Sequence, residues 1–522
     1  MGRRRTPFRV LIKTVPPVAL AVALAALAGC SGAASNKPSS SSGGNLTIVT
    51  TTPWSSLDPV VPTTPPPALL MLPVYNSLFR ANPNGTSSPE LATGYTVSSN
   101  GETIDIALRH GVKFQDGTAF NAQAVVYNLD RYMNPANGSV CLTPLAPITS
   151  VTAAGTYTVQ ISLAYRDDGL MSALSANVCG LMASPAAVKK YGSSYGQHPV
   201  GTGPFKYVSG STGVVARFTR FDGYWGGTPS LSSVTIEVVT NDSNGLDAVQ
   251  ANTAQVWAEI SDPGSASELE QAKSDSSLTV ESASAGQYEF VGFNMNKAPF
   301  NSLAARQAVA YATDTAAIAS SLYSNLFPTF EGFFPATTFG YESSVPGYPS
   351  YNLAKAKSLV SSLGGSLSFT LLIPNSAEGE TLGDALKAQW AKAGINVTLD
   401  PLTTPEQIGD QLDHDMQATM TLSPPESDPD ALAEIWLYSK STSNITGYAS
   451  ASADSLVAEG RSGLTTAQRK SDYQQLTALA TTAVPTDDLS QLTPYSVVSK
   501  KVSGWLATSF GDEPYQSISL SS

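Results

Sequence analysis

Residues 352–402 read NLAKAKSLVSSLGGSLSFTLLIPNSAEGETLGDALKAQWAKAGINVTLDPL, and this stretch decides the fold class. Asn352 suits the cap of a helix whose Ala356, Leu359, Val360 and Leu363 recur at helical spacing, and Gly364-Gly365 ends it. Leu367, Phe369, Leu371 and Ile373 then fall on alternate positions, the period of a strand. A second helix is predicted from about Glu380 to Ala393, with Leu382, Leu386, Trp390 and Ala393 sharing a face and Gly394 as its stop. Ile395, Val397 and Leu399 alternate again. Strand, helix and strand with short joints make a βαβ unit, so this half holds parallel sheet covered by helices.

Outward from this unit the pattern changes. Leu46–Thr51 reads as a strand, followed by a Pro-rich loop through Pro67. Ile104, Ile106 and Leu108 alternate with Thr103, Asp105 and Ala107, and Tyr157, Val159 and Ile161 mark another strand over Thr156–Leu163. A helix is expected over Ala122–Tyr132, with Val125, Val126 and Leu129 in one stripe. Strands before residue 300 lack regular intervening helices, and no internal repeat is evident, so the two halves read as different α/β domains. A length of 522 residues is consistent with this, because it exceeds one small module and can fill two to four cores.

Charge is unevenly spread. Asp and Glu number 41 against 29 Lys and Arg, and charged residues make up only 13% of the chain, about half the usual share. Arg3, Arg4, Arg5, Arg9 and Lys13 all lie in residues 1–29, which hold no acid, so the remainder carries −17. Such an acidic body repels phosphate backbones, and no nucleic-acid partner is expected. Three His and three Cys, widely separated, argue against a multi-ligand metal or haem site, and no cofactor is expected. The basic start and the small, apolar run Val18–Gly29 read as an export signal, too short for a bilayer core of about 30 Å. Leu27-Ala28-Gly29-Cys30 resembles the lipobox of bacterial lipoproteins, which implies a lipid on Cys30 and anchorage to the outer face of the cell membrane. Residues 30–44 then read as a flexible tether. In that oxidising compartment a disulfide between Cys141 and Cys179 is favoured over two separately buried thiols.

A serine-hydrolase reading rests on Gly192-Ser193-Ser194-Tyr195-Gly196, but that motif needs a buried strand leading into the turn. Here a polar helix end precedes it, His198 follows too closely, and His414 is the sole distant histidine. No catalytic residue is assigned. The pairs Asp167-Asp168 and Asp487-Asp488 read as solvated turns, and Glu380 with Asp384 as the polar face of a helix.

Six blocks, in order, carry a more specific signal. Leu91-Ala92-Thr93-Gly94-Tyr95 leads through an alternating strand to Leu108-Arg109-His110-Gly111-Val112-Lys113-Phe114-Gln115-Asp116-Gly117. His198–Phe205 (HPVGTGPF), Phe221–Gly226 (FDGYWG) and Phe293–Asn296 with Pro299-Phe300 and Arg306-Gln307-Ala308 follow. Ala391-Lys392-Ala393-Gly394-Ile395 and Asp428-Pro429-Asp430 complete the series. Together they resemble the family 5 extracellular solute-binding proteins, the peptide-, dipeptide- and nickel-binding components of ABC importers, from about Leu46 to the C-terminus. The glycines and prolines of these blocks read as backbone devices rather than chemistry.

The resemblance implies an α/β, two-lobed periplasmic-binding-protein-like clamshell of the large three-subdomain type with mixed sheets. Residues 45–80, 196–290 and 490–522 would form the core of lobe I, 81–195 its extra subdomain and 291–489 lobe II, with segments near 288–296 and 484–496 crossing as hinges. It also implies capture of a small molecule or peptide between the lobes and delivery to ABC transporter permease subunits, by a monomer held at the membrane through its lipid. A ligand sensor of the same fold is the alternative. Ligand-binding positions carried over are Trp54 and Ser55, then Phe333, Phe334, Thr338 and Phe339, then Ser423 and Glu426. The carboxylate that pairs with a peptide's amino terminus in peptide-binding members falls at Pro425 here, with Glu426 beside it. The rings of Trp54, Phe333, Phe334 and Phe339 would make an aromatic cleft.

Overall fold

The computed structural model describes residues 43–60, 68–82, 87–142, 144–175, 179–261, 263–283, 286–423, 428–461, 465–507 and 515–521. The expected signal, Cys30, the tether up to Ser42 and Glu426 lie outside them.

The chain lays down β1 (Asn45–Thr50), burying Leu46 and Ile48, and then leaves it. Four antiparallel strands follow, β2 (Ala92–Val97), β3 (Thr103–Leu108), β4 (Ile148–Gly155) and β5 (Thr158–Leu163), in spatial order β2-β3-β5-β4. Their alternation has a direct cause: Ile104, Ile106, Leu108, Val159 and Ile161 all enter one core. Helix α1 (Ala122–Met133) closes that core with Val125 and Leu129, and its first turn is capped by Asn121, which accepts from Ala124 N. Cys141 and Cys179 are joined by a disulfide beneath this layer.

The chain then rejoins β1. Leu181, Ala183, then Ala187 and Val188 of α2 (Pro185–Tyr191), and Tyr195 pack in the β1 core. The boundary expected at residue 195 is therefore too late. Asn128 and Tyr132 on α1 donate to the carbonyls of Ala183 and Leu181, and these bonds stitch the two layers together at that point. Gly201 and Gly203 lie against the same seam. A Cβ on either would come within 2.5 Å of Val74 backbone or Tyr75 ring atoms, so close approach, not a left-handed φ, demands glycine.

Next come β6 (Phe205–Ser211), β7 (Val215–Arg220), β8 (Ser233–Val238), α3 (Asp242–Gln250), β9 (Val256–Ile260), α4 (Ala266–Ser274) and β10 (Leu278–Ser282). Between Ser282 and Gln287 the chain passes to a second sheet with β11 (Gln287–Phe293). It continues through α5 (Leu303–Ala312), α6 (Thr315–Ser321), α7 (Leu353–Ser362), β12 (Leu367–Pro374), α8 (Ala377–Ala391) and β13 (Ile395–Leu402). Then follow α9 (Thr404–Leu412), β14 (Ala418–Leu422), α10 (Pro429–Trp436), α11 (Ala451–Gly460), α12 (Thr466–Ala483) and β15 (Thr486–Leu492). After Leu492 it returns as β16 (Tyr495–Ser499). The first sheet is β10-β16-β9-β1-β8-β7-β6 and the second β13-β12-β14-β11-β15. We call the first sheet with the four-stranded layer the first lobe, and the second sheet with its helices the second lobe. The crossings thus precede β11 and follow β15, whereas the segment expected as a hinge at 288–296 is mostly strand of the second lobe.

The βαβ unit forms from the residues that announced it. Asn352 accepts from Lys355 N at the start of α7, and Gly364 and Gly365, at φ 102° and 90°, end it as residues with a Cβ could not without strain. Strands β12 and β13 pair in parallel from Leu367 with Ile395 to Pro374 with Leu402. Helix α8 begins at Ala377, ahead of the expected Glu380, because Ser376 accepts from Gly379 N and caps it there. Leu382, Leu386 and Trp390 are buried on the sheet, each large side chain contributing roughly 1.5–3 kcal/mol. Trp390 Nε1 donates to Thr313 Oγ1 at 2.9 Å, so its one polar atom is satisfied inside the core.

The disulfide closes a loop with a sequence separation of 38, which in the chain-entropy picture stabilises by up to about 4 kcal/mol. Replacing Cys141 and Cys179 together with Ala should lower the denaturant midpoint of the mature protein, and wild-type protein under reductant should fall to match. An unchanged midpoint in both would mean that the bridge contributes nothing.

Candidate ligand crevice and interlobe contact

Strand β1 pairs in parallel with β8 on one side and β9 on the other. Its carboxyl end is therefore a point where connections diverge, the usual position of a ligand crevice in such sheets. The loop after it is pinned: Asp58 accepts from Val60 N and pairs with Arg131 at 2.8 Å, and Leu57 O accepts from Tyr75 OH. Trp54 turns into the first-lobe core at 6% exposure, while Ser55 is exposed. In the second lobe β12 lies between parallel neighbours β13 and β14, and Ser423 follows the end of β14. Ser423 N donates to Tyr288 O, its Oγ accepts from Tyr288 N, and its carbonyl accepts from Gln287 Nε2. Its polar atoms serve the sheet.

Of the four rings expected to make an aromatic cleft, three are buried. Phe333 and Phe334 are 1% and 2% exposed and pack with Tyr288, Trp436 and Tyr473. Phe333 O accepts from Tyr288 OH, and Phe334 meets the edge of Tyr473 at 5.6 Å. Thr338 is buried and donates to Pro335 O. Phe339 alone of the four rings stays at the margin, half-buried, with the Arg469 guanidinium 4.7 Å from its ring centre. Trp54 is buried in the first-lobe cluster and Phe333 and Phe334 in the cluster around Tyr288 and Trp436.

Around α10 lies a buried ionic cluster. Asp428 caps the helix, accepting from Asp430 N, and takes both Arg469 Nη atoms at 2.9 and 3.0 Å. Asp430 receives Arg461 Nε on both oxygens, at 2.9 and 3.0 Å, and the Tyr473 hydroxyl at 2.9 Å. Arg461 also donates to Glu434. Carboxylates at a helix N-terminus are favoured by the exposed N–H groups there. The loop after β5 meets this cluster from the first lobe. The Tyr165 ring lies 5.7 Å from the Arg461 guanidinium, and a Cβ on Gly169 would sit 3.5 Å from Asp430 Cβ. Asp167 Oδ1 accepts from Gly169 N at 2.8 Å. Burial, then the charge of Asp430, pushes the Asp167 carboxyl up to about 7. Asp430 is raised by burial too, against the pull of Arg461.

Two acidic pairs thus differ from their expected reading. Asp168 does pair with Arg166 near the surface, but Asp167 is 8% exposed. Asp487 and Asp488 lie inside β15, accepting from Thr313 Oγ1 and Tyr348 OH respectively, and burial raises both carboxyls, Asp487 to about 7. A signal for the cluster was present in the composition. Between Ala393 and Ser499 the only basic residues are Lys440, Arg461, Arg469 and Lys470, so two lone arginines stood near a DPD sequence. The hydrolase motif does not form an elbow. Gly192–Gln197 is a 3-10 turn after α2, Ser194 Oγ donates to Tyr191 O, and His198 stacks on Tyr191. Among the described residues no His, Cys, Asp or Glu cluster could hold a metal, and no helix is long and apolar enough to cross a membrane.

Comparison with known proteins agrees with this architecture. Residues 86–444 match the model of bacterial extracellular solute-binding proteins, family 5 Middle. The chain is 31% identical over 330 residues to the glutathione-binding protein GsiB of Pectobacterium atrosepticum, which covers 62% of each protein. It therefore matches less than two thirds of that relative's length. In structure it is similar to the ABC transporter-associated periplasmic binding protein DppA of Helicobacter pylori in complex with the peptide STSA, with a TM-score of 0.79 and 20% identity over 92% of this chain and 98% of that one. NikZ of Campylobacter jejuni in complex with Ni(L-His) gives 0.74 and 20% over 91% and 99%. At such identity these two structures establish the fold, a periplasmic-binding-protein-like clamshell. The family model covers the four-stranded layer and parts of both large sheets, and its members are solute-binding transport proteins rather than enzymes: this chain belongs to the bacterial extracellular solute-binding proteins of family 5.

Proposed function

We propose that the protein is a lipid-anchored receptor outside the cell membrane that captures a peptide-like solute between its lobes and passes it to an ABC import permease. The observation that carries this reading is the placement of the crevice. The carboxyl ends of β1 and β14 carry the loops assigned to ligand binding, and two short crossings join the lobes around them. Hinge closure about such crossings buries a ligand that touches both lobes. Within this reading Ser55 and Phe339 are the ligand-facing positions of the described loops, and Glu426 replaces the absent carboxylate at Pro425. The four-stranded layer serves as the extra subdomain of lobe I. GsiB is named for glutathione, itself a peptide with a free ammonium, and a buried ammonium requires a paired carboxylate.

Mass spectrometry of small molecules released on denaturing the purified protein should identify a peptide-like species. A panel of dipeptides, oligopeptides, glutathione and nickel–histidine then tests the class by thermal shift, since a ligand at a hundred times its Kd stabilises by about 2.7 kcal/mol. Glu426→Gln should weaken a peptide ligand tenfold or more without weakening an N-acetylated one. Equal loss for both would remove Glu426 from the ammonium. Cys30→Ala should release the protein into the medium, and retention at the membrane would count against the lipid.

A further inference from the structure

We propose that closure of the two lobes takes up one proton at the contact between Asp167 and Asp430, so that the closed form is favoured as pH falls. The proposal rests on the clamshell reading of the crevice and concerns its regulation.

The charges on the second lobe are already committed. Asp428, Asp430 and Glu434 face Arg461 and Arg469, and each ion pair of the cluster uses one of those two guanidiniums. Arg469 Nε is further engaged by Gly460 O. Three carboxylates against two cations leave that side negative before the first lobe arrives. The arriving loop adds a fourth acid. Its own cation, Arg166, pairs with Asp168 and not with Asp167. Among the described residues Asp167 forms no ion pair, and the Gly169 amide is its hydrogen-bond donor. The position a Gly169 Cβ would take lies 3.1 Å from Asp167 Oδ1 and 3.7 Å from Asp430 Oδ2, so the two buried carboxyls flank one glycine. The groups that face Asp167 are Asp430 and Asp428 at the start of α10 and Arg461 after α11, with Tyr165 and Asp168 on its own loop. Two buried like charges at such range cannot both stay ionised cheaply.

The sign follows from where the proton binds. In the closed form the Asp167 carboxyl sits at about 7; opened to water it returns to the ordinary carboxylate range near 4. Between about pH 4 and 7 the closed form therefore holds a proton that the open form releases. Raising pH through that window weakens closure, and above about 7 nothing further is lost.

The test uses the mature protein freed of ligand by unfolding and refolding, with small-angle scattering between pH 5 and 8. The wild type should show a smaller radius of gyration at pH 5 than at pH 7.5. Asp167→Asn supplies a neutral side chain of the same shape. It should keep the smaller radius at pH 7.5 and lose most of the pH dependence of that radius, while Asp168→Asn should behave as wild type. Should Asp167→Asn fold poorly, Asp167→Ser gives the same comparison. A wild-type radius independent of pH, or an Asp167→Asn protein more open than wild type, would overturn the proposal. Neither result touches ligand capture, which the released-ligand measurement tests separately.

Discussion

The antiparallel pairing of β11 with β15 is the constraint on which the two-lobed arrangement depends. Gln287 pairs with Leu492 at one end and Gly292 with Thr486 at the other. Both strands that adjoin a crossing are thus locked side by side in one sheet. β11 begins at Gln287 after β10 ends at Ser282, and β15 ends at Leu492 before β16 begins at Tyr495, so the two exits from the second lobe start from neighbouring ends. Two short connections leaving adjacent positions allow rotation about the line joining them far more readily than sliding or twisting. The bulge between Glu289 and Phe290 lies within this pair. Bulges increase local twist, and this one lies close to the crossing ends.

Around that constraint, legibility divides by range. The βαβ unit was readable because its determinants are local: Asn352 caps three residues on, Gly364-Gly365 stop their own helix, and the alternation of Leu367, Phe369, Leu371 and Ile373 needs only the strand's own period. The six blocks were readable for a related reason, since Gly201 and Gly203 report a backbone approach that no other residue tolerates. The site was less legible. Whether Phe333 lines a crevice or fills a core depends on Tyr288 and Trp436, distant in the chain. Asp487 and Asp488 follow Pro485 and look like a turn, yet Thr313 and Tyr348 supply hydrogen bonds that let them lie within a strand. Local pattern cannot see partners supplied by another element, and polar burial is decided by those partners.

The sparse charge of the chain acquires a use in this light. Buried ion pairs are poor sources of stability, because desolvating both partners offsets most of their attraction. Apolar substitutes of the same volume at Asp428 and Arg469, or at Asp430 and Arg461, would serve packing as well. They could not serve orientation. The bidentate grip of Arg469 on Asp428 fixes the first turn of α10 against α12, and Arg461 on Asp430 fixes the same turn against the end of α11. Three helices are thereby held in one register at the face that the first lobe meets.

That register has a consequence for the crevice. Pro429 lies between the two gripped aspartates and packs at Gly340, where a Cβ would come within 3.3 Å of it. Gly340 follows Phe339, whose ring lies under Arg469. The cluster therefore holds α10 and the 333–339 loop together, and a change in its charge acts on both at once. Asp430, through Tyr473, and Asp428, through Arg469, stand in one chain of contacts that ends at the Phe339 ring, so a contact from the first lobe that alters the charge at Asp430 bears on the same neighbourhood. An apolar interface of equal area would close the same lobes, but it could not make closure answer to the composition of the solution outside.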